Sequence, residues 1–201
     1  MTQSLAIENL SVGEVHDVSL QVGAGQIICL SGPSGSGKTR ILRAIADLDP
    51  HEGSVRLGGC PAQSMTGHEW RGSVMLVPAE SRWWGESVRE HCDAEDPEDL
   101  EALGLAQEVL DWAVARLSSG EKQRLALYRA ISHGPKALLL DEPTANLDED
   151  SKHRVERWLL ERIRRSGLPV IWVAHDPEQI RRVADGHYRI RDGRVVREEI
   201  R

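Results

Sequence analysis

Gly32-Pro33-Ser34-Gly35-Ser36-Gly37-Lys38-Thr39 fits the pattern G-x-x-x-x-G-K-[ST] at every fixed position. That composition suits a ligand rich in phosphate oxygens. Glycines let backbone N–H groups turn toward the oxygens with no Cβ in the way. A helix beginning near Lys38 would point its positive end at the same anion. Lys38 supplies a cation for the β- and γ-phosphates of a nucleoside triphosphate, and Thr39 supplies a hydroxyl for Mg²⁺. Arg40 continues the nucleotide-binding run. The alternative, a Gly/Ser-rich turn with no ligand, fits poorly with an apolar strand before it and helical spacing after it.

Further groups bear on the same chemistry. Leu138-Leu139-Leu140-Asp141-Glu142 puts two carboxylates where an apolar strand ends, and in a phosphate-loop enzyme Asp141 would hold Mg²⁺ directly or through water. An ordinary acid-capped strand end has the same composition, and only the pairing with the loop points to catalysis. Pro143 stops any helix from continuing there. Ser118-x-x-Glu121 is a capping box ahead of an apolar-periodic helix, Leu125 to Ile131. Small residues at a helix start also make an anion site. One chain can hardly fold both anion sites onto one phosphate. His175 directly follows the apolar run 170–174, and Asp176-Pro177 behind it makes an N-cap and N1 pair.

Together, the loop at 32–39, LSSGEKQRLALYRA from Leu117, LLLDEPTANLD from Leu138 and WVAHD from Trp172 resemble the ATP-binding cassette (ABC) ATPase family over nearly the whole chain. Leu117-Ser118-Ser119-Gly120-Glu121 stands where the family has LSGGQ, with Ser119 for the first Gly and Glu121 for the Gln. The resemblance implies ATP and Mg²⁺ as ligands, with Glu142 orienting and polarising the attacking water. It implies that His175 is the switch histidine contacting the γ-phosphate, where its imidazole could sense phosphate loss. It also implies a head-to-tail homodimer on ATP binding, in which Ser118 and Gly120 touch the γ-phosphate held by Lys38 of the other copy. Asn146-Leu147-Asp148 resembles the D-loop that crosses this interface.

The chain departs from the family at two places, and a tryptophan pair lies close to the first. Many members have a Gln after the strand that precedes the helical lobe, where it ligates Mg²⁺ and contacts the membrane partner. Here Val74–Pro78 is that strand, Ala79 occupies the position and Glu80 follows. Either Glu80 substitutes as a Mg²⁺ ligand one residue out of register, or the contact is missing. No aromatic residue for stacking on adenine lies between Leu10 and Val18, which leaves Val12 and His16. Trp83-Trp84 cannot both point inward from an extended segment, so one is expected at the surface. There it would either dock a transmembrane subunit or pack against the helical lobe.

The elements that position these groups follow from periodicity. Leu5–Leu10, Val18–Val22 and Ser54–Leu57 alternate as strands. Gln26–Ser31 is a short apolar strand feeding the loop, and helical spacing predicts a helix over Lys38–Leu48, ending near Asp49-Pro50. Ala137–Asp141 and Pro169–Ala174 are continuous apolar runs flanking a long charged helix around Asp150–Arg165, which suggests parallel strands buried on both faces. Tyr188–Arg191, Asp192-Gly193 and Arg194–Arg197 read as a hairpin with a tight turn. From Asp93 to Glu101, six of nine residues are acidic, and Leu103–Ala115 after them is amphipathic. The expected fold is α/β: a P-loop NTPase core with a mainly parallel sheet, a small N-terminal antiparallel β region and an inserted helical lobe. It would be one domain over 1–201, with core lobes 1–84 and 135–201 around a helical subdomain at 85–134.

Size and composition set the remaining bounds. At 201 residues the chain can bury a substantial core as a single domain. A formal charge of -7 gives no compositional support for nucleic-acid binding. Arginines after residue 154 are interleaved with Glu156, Glu161 and Glu178, as on a solvated helix face. Cys29, Cys60 and Cys92 lack paired spacing, which argues against a disulfide framework or zinc site and for a reducing compartment. No apolar run reaches the roughly 18 residues of a membrane span, and MTQSLAIENL does not read as a secretory leader.

The expected function is therefore the ATPase subunit of an ABC transporter. It would be cytoplasmic and bound peripherally to the inner face of the membrane through separately encoded permease subunits. The segments look most like small bacterial ATPase subunits of the metal (iron) export type. The alternatives are a soluble ABC ATPase acting on nucleic acid or ribosomes, a regulatory cassette with weak hydrolysis, and a P-loop kinase or GTPase. The first would carry coiled-coil, zinc or tandem-cassette features, which this sequence lacks, and the last leaves Ser118–Glu121 and His175 unexplained.

Overall fold

The computed structural model describes residues 3–93 and 96–200. Met1, Thr2 and Glu95, which entered the readings of the N-terminus and the acidic run, and the end of the 1–201 span at Arg201, lie outside the described residues.

Two sheets carry the fold. The smaller has the order β2-β1-β4-β5 and pairs Leu5–Val12 (β1) with Val15–Val22 (β2) and Glu52–Leu57 (β4), all antiparallel, with Cys60–Pro61 (β5) at its edge. Both long strands extend beyond their expected limits, because Gly13-Glu14 closes a hairpin in which Val12 faces Val15. The larger sheet has the order β10-β9-β3-β8-β7-β6, from Ile27–Ser31 (β3), Val74–Val77 (β6), Ala137–Asp141 (β7), Val170–Val173 (β8), Gly186–Arg191 (β9) and Arg194–Glu198 (β10). Its internal pairs are parallel, and only β9 and β10 run antiparallel. The tight turn expected at Asp192-Gly193 is there, both residues having positive φ, 47° and 71°.

β3, β7 and β8 are buried at every residue, and the two-residue period of a strand divides their side chains between two cores. Leu138, Leu140, Val170 and Trp172 face one core, with Val155, Trp158 and Leu159 of Glu149–Ser166 (α5) and Leu125 of Ser119–Ser132 (α4). Leu139, Ile171 and Val173 face the other, against Lys38–Ile45 (α1) and the antiparallel sheet. Gly67–Ser73 (α2) completes the second core. Its fully buried Trp70 donates from Nε1 to the Ile45 carbonyl at 2.9 Å.

Two helical expectations change. α1 stops at Ile45, three residues short of Leu48, because Asp47 takes a left-handed φ of 57° and its N–H bonds back to Ala44. The amphipathic stretch Leu103–Ala115 is no continuous helix. After Pro97–Ala102 (α3), Gly104 turns the chain at φ 69°, and two 3₁₀ turns follow at Gln107–Asp111 and Val114–Arg116. α3 is tied to the core: buried Asp99 accepts from Trp158 Nε1 at 2.5 Å and Arg162 Nε at 2.6 Å, and Arg162 also reaches Asp96 at 2.6 Å. Asp176 caps the last helix, Pro177–Val183 (α6), by accepting from Glu178 N–H at 2.9 Å.

Candidate functional site

The loop at 32–39 joins the C-terminal end of β3 to the first turn of α1, at the edge where parallel strands leave ligand room. Gly37 is the N-cap of α1 with φ 99°, and a Cβ there would meet Val15 Cγ2 at 2.6 Å. Only glycine admits that turn. Lys38 is buried, and its Nζ donates to the carbonyls of Gly32 and Pro33 at 3.0 and 2.9 Å. Desolvation holds its pKa below the usual lysine range, opposed by Glu142 and Asp141. The Ser36 hydroxyl oxygen is buried and without a hydrogen-bond partner.

The carboxylates arrive from β7. Thr39 Oγ1 donates to Asp141 Oδ2 at 2.7 Å, so two oxygens suited to one hard cation already touch. Asp141 is buried, and desolvation raises its pKa above the ordinary carboxylate range. Glu142 takes φ 48°, a left-handed conformation that costs of order 1–3 kcal/mol for a residue with a Cβ. That turn swings its side chain out of the strand line, where Oε1 lies 2.7 Å from His175 Nε2. A cleft of about 500 Å³ collects these groups: Ser34–Arg40, Glu142 and His175, walled by Val12, Glu14 and Val15. An orphan hydroxyl, a sequestered ammonium and an oxygen pair form a donor set that fits a triphosphate with a divalent cation.

The sequence reading missed Val15 and Glu14 as walls of this cleft, and the only signal for them was the Gly13-Glu14 turn. His16 is exposed and does not line the cleft; Val12 does line it. Glu80 is exposed and also lies outside the lining, beyond the end of β6. A larger cavity of about 780 Å³ adjoins the site across Gly32, Pro33 and His175, bordered by Arg189 and Arg191 of β9.

Ser118–Glu121 are not brought to this cleft. The capping box forms: Ser118 N–H donates to Glu121 Oε2 at 2.9 Å, Ser118 Oγ to the same oxygen at 2.7 Å, and Glu121 N–H to Ser118 Oγ at 3.2 Å. These bonds hold the Glu121 carboxyl below its usual range. Ser118 and Ser119 remain exposed. Exposed Asn146 and Asp148 flank Leu147, whose side chain lies against Gly120; Asp148 caps α5 by accepting from Ser151 N–H at 2.9 Å.

The two tryptophans divide as their adjacency requires. Trp83 packs against the first core, while Trp84 is 74% exposed. Buried His91 props the turn: its Nε2 accepts from Trp84 and Gly85 N–H, both at 3.0 Å, and its Nδ1 donates to the Ser87 carbonyl at 3.0 Å. The Arg129 guanidinium lies 4.6 and 5.1 Å from the Trp83 and Trp84 ring centroids.

Residues 15–145 match the family described as ABC transporter. Over 200 residues the chain is 36% identical to a sulfate/thiosulfate import ATP-binding protein CysA of Mesorhizobium japonicum (strain LMG 29417 / CECT 9101 / MAFF 303099), covering 90% of this chain and 57% of that one. It is 31% identical over 179 residues to the probable iron export ATP-binding protein FetA of Escherichia coli (strain K12), covering 83% and 80%. The chain therefore spans little more than half the CysA protein. A solved bacterial Atm1-family ABC exporter with ATP bound has the same fold, with a TM-score of 0.85 at 24% identity over 97% of this chain and 38% of that one.

Proposed function

The chain belongs to the ABC transporter family, and from that premise we propose that it binds and hydrolyses ATP to power transport by separate transmembrane permease subunits. The observation that carries this reading is the convergence of Lys38, Thr39, Glu142 and His175 on one cleft, with buried Asp141 bonded to Thr39 beside it. In this reading residues 32–40 bind the nucleotide, Lys38 meets the β- and γ-phosphates, and Thr39 and Asp141 hold Mg²⁺. That cation would offset charge on the phosphate oxygens. Glu142 orients the attacking water and accepts its proton, and His175 donates to the γ-phosphate. The Ser36 hydroxyl finds its partner in a phosphate oxygen.

Ser118–Glu121 lie outside the cleft that holds the loop, which supports their service to a second copy. A head-to-tail homodimer on ATP binding is the arrangement in which they meet a phosphate. Asn146-Leu147-Asp148, next to Gly120, would border that interface. Among the described residues no helix is long and apolar enough to cross a membrane. Attachment to the cytoplasmic face through a permease fits that observation, and exposed Trp84 is the anchor proposed for it. Trp and Arg are enriched among the residues that carry most of the energy at protein interfaces. The test is steady-state ATPase of the chain alone and with its co-expressed membrane partner. An ATP-hydrolysing chain that recovers a multi-span partner supports the proposal. Hydrolysis stimulated only by DNA or ribosomes would overturn the transport assignment.

A further inference from the structure

Buried amides hold the turn that follows Glu142 from two sides. Gln123 of α4 is 4% exposed, and its Nε2 donates to the Pro143 carbonyl at 3.0 Å. Gln179 of α6 is 6% exposed, and its Nε2 donates to Thr144 Oγ1 at 2.7 Å and Glu156 Oε1 at 2.8 Å. Buried Glu156 is itself gripped by Arg182 at 2.8 and 2.9 Å, so Gln179 is anchored from behind. The backbone adds Ala145 N–H to the Glu142 carbonyl at 3.2 Å. A left-handed φ at a residue with a Cβ persists only where its surroundings over-determine it. Here the two residues after Glu142 are each tied to a different helix. Buried donors also lose heavily if left unpaired, so these contacts resist drift.

Resting on the reading of Glu142 as the group that orients water, we propose that Gln123 and Gln179 are positioning residues for Glu142. They clamp Pro143 and Thr144 so that the carboxylate turns toward His175 instead of continuing along β7. Neither amide lines the nucleotide cleft, so neither binds the nucleotide. Gln123 also lies one helical turn after Gly120. A movement of the first turn of α4 on meeting a second copy therefore reaches the Pro143 carbonyl through a rigid helix.

The test uses Gln123→Met and Gln179→Met, which keep side-chain length and remove the donor, and Thr144→Val, which removes the acceptor on the other side of the Gln179 contact. ATP affinity is read with a fluorescent ATP analogue and turnover by phosphate release, and each variant is repeated in the Glu142→Gln background. The expected result is a kcat at least tenfold lower, an ATP Kd within threefold of wild type, and no further loss when Glu142 is already Gln. Unchanged kcat in all three variants overturns the proposal. So does a loss of equal size in the Glu142→Gln background, because the amides would then act elsewhere. If Gln179→Met fails to fold, Thr144→Val decides the same contact. A wild-type rate that survives Glu142→Gln is a different failure: it removes the role of Glu142 itself, and the positioning role falls with it.

Discussion

His175 Nε2 donates to Glu142 Oε1 at 2.7 Å, joining the ends of two neighbouring parallel strands, β8 and β7. Each side chain is thus partly satisfied by the other. On the proposed reading, a γ-phosphate entering the cleft would compete with Glu142 for the imidazole proton. Its loss after hydrolysis would let the pair re-form.

Glu142→Gln should retain ATP binding and cut turnover by about 10²–10⁴-fold, the usual scale for losing a general base. With ATP and Mg²⁺ the same variant should accumulate as a dimer in size-exclusion chromatography or native mass spectrometry. A strictly monomeric profile would count against the head-to-tail arrangement.

Trp84→Ala should weaken recovery of the membrane partner and its stimulation of ATPase by at least tenfold, the scale of an aromatic hot spot of about 2 kcal/mol. Co-purification from detergent extracts reads this directly. Full stimulation in the variant would place the anchor elsewhere.

Stability should rise with pH through the histidine range. Burial, followed by the Arg129 charge, lowers the pKa of His91, against the opposing pull of Glu90; His133 also disfavours its protonation. The folded state therefore keeps His91 neutral while the unfolded chain takes up a proton near its ordinary value of about 6.5. Stability is fully present above that value and is lost as pH falls toward the lowered one. Half-buried His187 shifts in the same direction. His91→Gln should flatten part of the slope in urea midpoints between about pH 8 and 5.5, and an unchanged slope would exonerate His91.

Asp99→Ala should destabilise the fold by about 2–4 kcal/mol, because it leaves the Trp158 indole N–H unpaired in the core and Arg162 with one carboxylate where it had two. Chemical denaturation measures the loss. A change below about 0.5 kcal/mol, the scale of an ordinary surface substitution, would mean that α3 is held to α5 by other contacts.

Glu80→Ala should leave the Mg²⁺ dependence of ATPase unchanged, since Glu80 is exposed and does not line the cleft. A several-fold rise in the Mg²⁺ concentration needed for half activity would restore it as a ligand.

What could be read from the sequence was whatever depends on neighbours in the chain. The loop at 32–39, the apolar run ending at Asp141, the Ser118–Glu121 box and the Asp192-Gly193 turn each carry their own local reason. The break in Leu103–Ala115 was hidden because 3₁₀ turns leave an apolar spacing close to that of an α-helix. The end of α1 turned on one aspartate adopting a left-handed conformation, which few side chains do. Gln123 and Gln179 gave a faint signal, polar residues at buried helix positions beside Leu125 and Ile180. Their partners at Pro143 and Thr144 lie 20 and 35 residues away in the chain, beyond the reach of any periodicity.

The Lys38 ammonium rests against two carbonyls of its own loop, so on the proposed reading a ligand would have to compete with them for it. Nucleotide entry would exchange those two contacts for phosphate ones, so part of the Coulombic attraction would go into replacement. A diphosphate that reaches only part of the way recovers less of the exchange than a triphosphate. On the proposed reading the loop would then serve to distinguish the two more than to grip either, as a subunit that releases its product every cycle would need.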